Sequence, residues 1–265
     1  MATTVAMGRI AVPEMLRVGY DKSLATGTVA CAGTLGSLIP PSVLMIVWGI
    51  LTEKSIGQIF LAGVLPGLML TVLFVAYIFI TALARPAVVG RGVESHVEES
   101  AGEQVSLAAF LTSVAGILAV IFAVLGGIWF GVFTPTEGAG AGAFIGLVLG
   151  IVKGMRYKDI IESILSVGRT SAPILLLLVA ASLYSRTLAM TGMANAIQDL
   201  FLDTGLTPFL IIALMVLVWF LLGMVIDSIS IMLLTVPIFA PIAEQLGYDP
   251  IAFAIVGILA IEAGL

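Results

Sequence analysis

Charge is what this 265-residue sequence has least of. Asp, Glu, Lys and Arg make up 10% of it and hydrophobic residues 60%, whereas soluble domains carry about 25% charged residues. Mean hydropathy is +1.21. Such a chain is an integral membrane protein that crosses the bilayer several times. Net charge is −5, which excludes a nucleic-acid partner of the usual basic kind. The single cysteine, Cys31, excludes an intrachain disulfide and is expected to behave as a small apolar residue. The single histidine, His96, lies among Glu94, Glu98, Glu99 and Glu103 and is read as a solvated linker residue, and no Cys/His spacing suits a metal. Gly-x-x-x-x-Gly-Lys-Ser/Thr is missing, so this chain is not expected to hydrolyse ATP. His-Glu-x-x-His and Gly-x-Ser-x-Gly are missing too. An intramembrane aspartyl protease needs two facing aspartates, but Asp227 is the only one inside an apolar segment. The expectation is a protein that is not an enzyme and carries no organic cofactor. No charged start followed by an apolar run and a cleavage site opens the sequence.

What is present is a succession of apolar runs between short polar turns, divided into four stretches. Residues 1–51 hold Arg9, Glu14, Arg17, Asp21 and Lys22 around the turn Gly19-Tyr20-Asp21, then an apolar run from Leu24 to Leu51. Residues 52–106 hold a short loop, a full span Ile59–Leu83 with Pro66-Gly67, and the polar linker Arg85–Ser106. Residues 107–170 hold a span Leu107–Phe133, the sequence Thr134-Pro135-Thr136-Glu137, and a glycine-rich run Gly138–Val152 that permits close helix approach. They end in Lys153–Thr170, a basic amphipathic segment expected to lie at the cytoplasmic interface. Residues 171–265 hold the apolar Pro173–Met190, in which Arg186 is expected to snorkel, then a span Pro208–Ile226 and a second apolar piece after Asp227. The last apolar segment, from near Ile251 to Leu265, measures about 22 Å at 1.5 Å per residue, against a hydrocarbon core of roughly 30 Å. The chain is therefore expected to be a fragment, cut inside an element.

Within the first stretch, Gly33-Thr34-Leu35-Gly36-Ser37-Leu38-Ile39-Pro40-Pro41-Ser42 cannot form an ordinary lipid-facing helix. Pro40 and Pro41 have no N–H, so carbonyls one turn earlier lose their donors. In hydrocarbon each such group costs several kcal/mol unless protein or a wet cavity receives it. Two readings follow: a proline-kinked span, or a broken helix whose carbonyls and hydroxyls face a cation.

The sequence also repeats itself. Pro13 to Asp21 and Pro241 to Asp249 both read Pro, five residues, Gly-Tyr-Asp, at an offset of 228. The same offset pairs Ile10 with Ile238, Ala32 with Ala260 and Gly36 with Gly264. Seven apolar elements lie between the two copies if every one crosses, and five if those around Asp227 dip in and return. Either count is odd, so the copies are expected to be inverted in the membrane, as in secondary transporters with broken helices.

Asp227 follows nineteen apolar or small residues, and an intramembrane carboxylate is functional by default. With Ser228 and Ser230 it offers hard oxygen ligands for a small cation; equally, it suits the N-cap of the following helix. Thr134-Pro135-Thr136-Glu137 is read as a plain interfacial cap, with its hydroxyls and carboxylate as a weaker ion candidate. Glu262, which the offset pairs with Thr34, is a further candidate.

Taken in order, Pro13-Glu14-Met15 with Gly19-Tyr20-Asp21, the Gly33–Ser42 stretch, Ala62-Gly63-Val64-Leu65-Pro66-Gly67, Thr134-Pro135-Thr136-Glu137 and Gly247-Tyr248-Asp249-Pro250 resemble one family along essentially the whole chain. It is the large membrane subunit (DctM-like) of tripartite ATP-independent periplasmic (TRAP) transporters. The resemblance implies an all-α, inverted-repeat, elevator-type ion-coupled transporter with broken helices and re-entrant hairpins. It implies sodium symport of organic acids, C4-dicarboxylate or sialic-acid-like, across the bacterial inner membrane. A periplasmic substrate-binding protein and a small membrane subunit would be its partners. The site would draw on Gly33, Thr34, Gly36, Ser37, Pro40, Pro41, Ser42, Asp227, Ser228 and Ser230, with sodium as the only metal, and more weakly on Thr134, Thr136, Glu137 and Glu262. Gly33–Ser42 and the Asp227–Ser230 hairpin would move past a scaffold containing Ile59–Leu83. The alternative is an ion-coupled carboxylate transporter of inverted-repeat type that needs no binding protein. Compared with the family pattern, the sequence starts inside the first hairpin and stops before the second Pro-Pro motif. Alone, this polypeptide is expected not to transport, an expectation that sodium-dependent uptake by proteoliposomes holding it alone would overturn.

Overall fold

The structure, a computed structural model, describes residues 2–89, 114–116, 118–202 and 205–264. His96 and its neighbouring glutamates, and most of the polar linker, lie outside them. The described residues are helical, without a strand. The helices are α1 (Ala2–Arg17), α2 (Lys22–Leu38), α3 (Val43–Thr52), α4 (Ile56–Ala84), the short α5 (Gly127–Trp129), α6 (Pro135–Val152), α7 (Tyr157–Thr191), α8 (Met193–Leu202), α9 (Pro208–Gly223), α10 (Ser228–Gln245) and α11 (Pro250–Gly264). Among the described residues, α4, α6, α7 and α10 are long and apolar enough to cross a membrane by themselves. At 16 residues, α9 is about 24 Å long, short of the roughly 30 Å core. The expected span Pro208–Ile226 is thus a shorter helix that gives way to a turn.

Two compact units divide the chain: Met1–Pro40 with Gly63–Ile117, and Pro41–Ala62 with Leu118–Leu265. In the first, α1 lies against α2, and the Thr4 side chain sits over Gly33 where any Cβ would stand. Gly67, just after the proline in α4, admits Ile39: a Cβ there would lie 3.0 Å from Ile39 Cγ1.

The second unit has an aromatic centre. Trp48 and Trp219 meet edge-on with centroids 5.8 Å apart, and Phe253 lies 6.0 and 5.4 Å from them. Phe239 joins at 5.3 Å from Trp219. Such edge and tilted pairs add about 0.5–1.5 kcal/mol each beyond burial. Both tryptophans are buried, along with Met215, Ile231, Met232, Val236, Ile258 and Ile261. The Trp219 indole donates to Thr235 Oγ1 at 2.7 Å, which satisfies its one polar atom. Gly257 makes room, since a Cβ there would lie 2.4 Å from the Trp48 ring.

One expected boundary moved. Tyr157–Thr170, the greater part of the expected segment Lys153–Thr170, and Pro173–Met190 are parts of a single 35-residue helix, α7, with Pro173 inside it, while Lys153–Arg156 form the connection before it. A proline removes one backbone bond, whereas ending a helix in an apolar environment would strand up to four carbonyls. Continuing is cheaper. α7 starts where Asp159 accepts the Arg156 N–H at 2.7 Å and stops at Gly192, φ 69°.

The helix-stop bonds of the two Gly-Tyr-Asp turns correspond, and in the first copy the Asp21 N–H also donates to Val88 O at 2.8 Å. Gly19 (φ 91°) donates to Leu16 and Tyr20 to Met15; Gly247 (φ 85°) donates to Glu244 and Tyr248 to Ala243. Each is a Schellman stop, with the left-handed position filled by glycine. The aspartate then caps the next helix. Asp21 accepts from Ser23 N and Leu24 N, and Asp249 Oδ1 accepts from Ala252 N. Shifted by 228, the end of α1 at Arg17 falls on Gln245 and the start of α2 at Lys22 falls on Pro250, the observed helix limits in the second copy. The repeat found in the sequence is a repeat of structure.

Candidate functional site

The helix break lies where the Pro-Pro pair puts it. Ile39, before Pro40, is extended (φ −85°, ψ 118°), and Ser42 is extended (φ −122°, ψ 132°) before α3 restarts at Val43. Proline disfavours the helical region for the residue preceding it, which is why α2 ends at Leu38. Between Lys22 and Glu53 there is no charged side chain. Thr34 Oγ1 donates to Cys31 O at 2.7 Å, so its proton is used within the helix while its lone pairs stay available. Gly33 is covered by Thr4, Gly36 is exposed with open space where a Cβ would be, Pro40 and Ser42 are buried, and Pro41 is exposed.

Around Asp227 the candidates separate into two pairs. Asp227 caps α10: Oδ2 accepts from Ser230 N at 3.0 Å and Oδ1 from Ser230 Oγ at 2.7 Å. This pair faces outward. Ser228 turns the other way and donates its hydroxyl to Glu262 Oε1 at 2.6 Å. Glu262 is only 7% exposed. Positions 228 and 230 lie about 200° apart around a helix, which is why two serines so close in sequence serve different partners.

Thr134 and Glu137 form a reciprocal capping box on α6. Glu137 Oε2 accepts from Thr134 N at 2.8 Å and Oγ1 at 2.9 Å, while Thr134 Oγ1 accepts from Glu137 N at 3.3 Å. Pro135 opens the helix and Thr136 is exposed on its first turn. The plain cap is the geometry found. Just before it, a π-helical turn, Phe122–Gly126, runs into α5, and Gly138 and Gly142 bring α6 against Val124 and Ile128.

Sequence reasoning missed Gly223. A Cβ there would lie 2.8 Å from both Gly264 Cα and Ile261 O. The signal was a glycine closing an apolar run in one helix and another glycine at the end of α11, which the crossing brings together. Among the described residues no group of three His, Cys, Asp or Glu could hold a metal. The oxygens on hand are serine and threonine hydroxyls, carbonyls and single carboxylates, a donor set suited to a hard cation rather than a soft transition metal.

The family model for the tripartite ATP-independent periplasmic transporter, DctM component, matches residues 1–265. The C4-dicarboxylate TRAP transporter large permease protein DctM of Pseudomonas aeruginosa is 33% identical over 270 residues, covering 100% of this chain and 60% of that protein. The ectoine TRAP transporter large permease protein TeaC of Halomonas elongata is 31% identical over 265 residues, with 99% and 60% covered. The sialic acid TRAP transporter large permease protein SiaM of Vibrio cholerae is 29% identical over 270 residues, with 100% and 60% covered. The chain thus spans about 60% of the length of these relatives.

Proposed function

The chain belongs to the DctM component family of tripartite ATP-independent periplasmic transporters, and on that premise we propose that it is the permease of a sodium symporter importing an organic acid. It is a multi-pass membrane protein and not an enzyme. Its work would be done in the bacterial inner membrane with a periplasmic substrate-binding protein and a small membrane subunit. The observation that carries the reading is the duplicated helix–stop–helix frame, with an uncharged break after one copy and a carboxylate-bearing cap before the other. Broken helices in paired repeats are where secondary transporters bind substrate and ion.

The relatives are named for C4-dicarboxylate, ectoine and sialic acid. These names support an organic acid as substrate class. Hydroxyls and freed carbonyls at 33–42, with Asp227, Ser228 and Ser230, are the proposed ion and substrate ligands, and Glu262 stands behind Ser228 as its hydrogen-bond acceptor. Of the weaker candidates, Thr134 and Glu137 serve as a helix cap in this reading, with Thr136 on the helix's first turn.

The test is uptake of labelled organic acids by proteoliposomes holding the permease with its small membrane subunit. Uptake should require both an inward sodium gradient and added binding protein. Uptake without the binding protein would favour the alternative carboxylate transporter. Uptake indifferent to sodium would remove the symport reading.

A further inference from the structure

A side-chain bond, Ser228 to Glu262 at 2.6 Å, joins the buried end of α11 to the exposed turn between α9 and α10. On one side α11 is held by bare backbone contact with α9, at Gly223 and Gly264. On the other, Glu262 reaches the first residue of α10. The turn itself, Met224–Asp227, shows its apolar side chains outward, with Met224 69% and Val225 83% exposed. Val225 and Ile226 secure its backbone locally by donating to Leu222 O. The position of Asp227 thus depends on how firmly α10's first turn is held.

We propose that Glu262 is a positioning residue: through Ser228 it fixes the first turn of α10 and so sets where the Asp227 carboxylate stands. This rests on the reading that Asp227, Ser228 and Ser230 belong to the ion site. The hydrogen bond does two things. It ties the α9–α10 turn to α11, and it takes up the Ser228 proton, so that the serine oxygen offers only lone pairs to a cation. A carboxylate behind a first ligand is the arrangement by which outer-shell groups orient and strengthen metal ligands.

The experiment uses the permease with its small subunit, carrying Cys31→Ser and Val225→Cys, and follows maleimide labelling at position 225 with increasing sodium. Glu262→Ala and Ser228→Ala should each raise the sodium-free labelling rate about fivefold, the factor for one lost hydrogen bond. Each should also raise the sodium midpoint about tenfold, the lower end of outer-shell losses. The double variant should do no more than either single one. Glu262→Gln, whose amide oxygen still accepts the serine proton, should stay close to the parent. If Glu262→Gln behaves as Glu262→Ala, the charge itself acts and the positioning role is overturned; additive effects, or no effect of either alanine, overturn it as well. If Glu262→Ala does not fold, judged by tryptophan emission, Ser228→Ala carries the same test. Sodium without influence on labelling in any protein would sink the ion-site reading, while the sodium-free rates would still decide whether the strut exists.

Discussion

The two copies of the repeat share their turns and differ in everything around them. In both, glycine stops one helix and aspartate starts the next, with matching bonds. Yet on α2 the residues Ala30, Ala32 and Gly36 are exposed, whereas their counterparts Ile258 and Ala260 on α11 are buried and Gly264 touches α9. Thr34 in the first copy corresponds to the buried Glu262 in the second. Local chemistry, then, is what the duplication preserved. Neighbouring helices decide which face is core and where a carboxyl can be kept.

Trp219→Ala removes the centre of the second copy's surroundings and should destabilise that unit by about 3–5 kcal/mol, read as a lowered midpoint in denaturant with detergent present. A loss under 1 kcal/mol would deny the contrast in burial. Next, the paired glycines: Gly264→Ala places a Cβ 2.3 Å from Phe220 O and should cost about 1–3 kcal/mol. Gly36→Ala meets nothing within 4 Å and should stabilise its helix by roughly 0.5–1 kcal/mol. Equal effects would erase the difference between the faces. The capping aspartates sharpen the likeness instead. Asp21→Ala and Asp249→Ala should each cost about 1 kcal/mol, and unequal losses would mean that the frames are not equivalent. Smallest is Lys54→Met, which removes the 2.9 Å ion pair with Glu244. Glu244 corresponds to Leu16, so the first copy has no such pair. Partly exposed, it should be worth under about 1 kcal/mol and should fade with added salt.

Turns, caps and breaks were legible because each is written in a few adjacent residues. Pro40-Pro41 forced the end of α2, and Gly-Tyr-Asp spelled out a helix stop and start. Thr134-Pro135-Thr136-Glu137 is a capping box by its spacing alone. What was not legible depends on residues far apart in sequence. Ser228 and Glu262 were each singled out, but their pairing follows from how α10 and α11 cross. Gly223 looked like any glycine in an apolar run until Gly264 was set against it. The continuity of α7 through Pro173 could not be read locally either, since the proline argues for a break and only the cost of stranded carbonyls argues against it.

The Gly-Tyr-Asp turns have a consequence for how the chain is made. The Schellman and capping bonds that shape them each close over five residues or fewer, so these bonds form on the fast timescale of local contacts, while the polypeptide is still being synthesised, whereas the Asp21 N–H must wait for Val88 O. The cluster of Trp48, Trp219 and Phe253 draws on both ends of the sequence and must wait for the last helices to emerge. A translation intermediate arrested a few residues after Leu24 would already hold the local bonds of its corner, long before it owned a core.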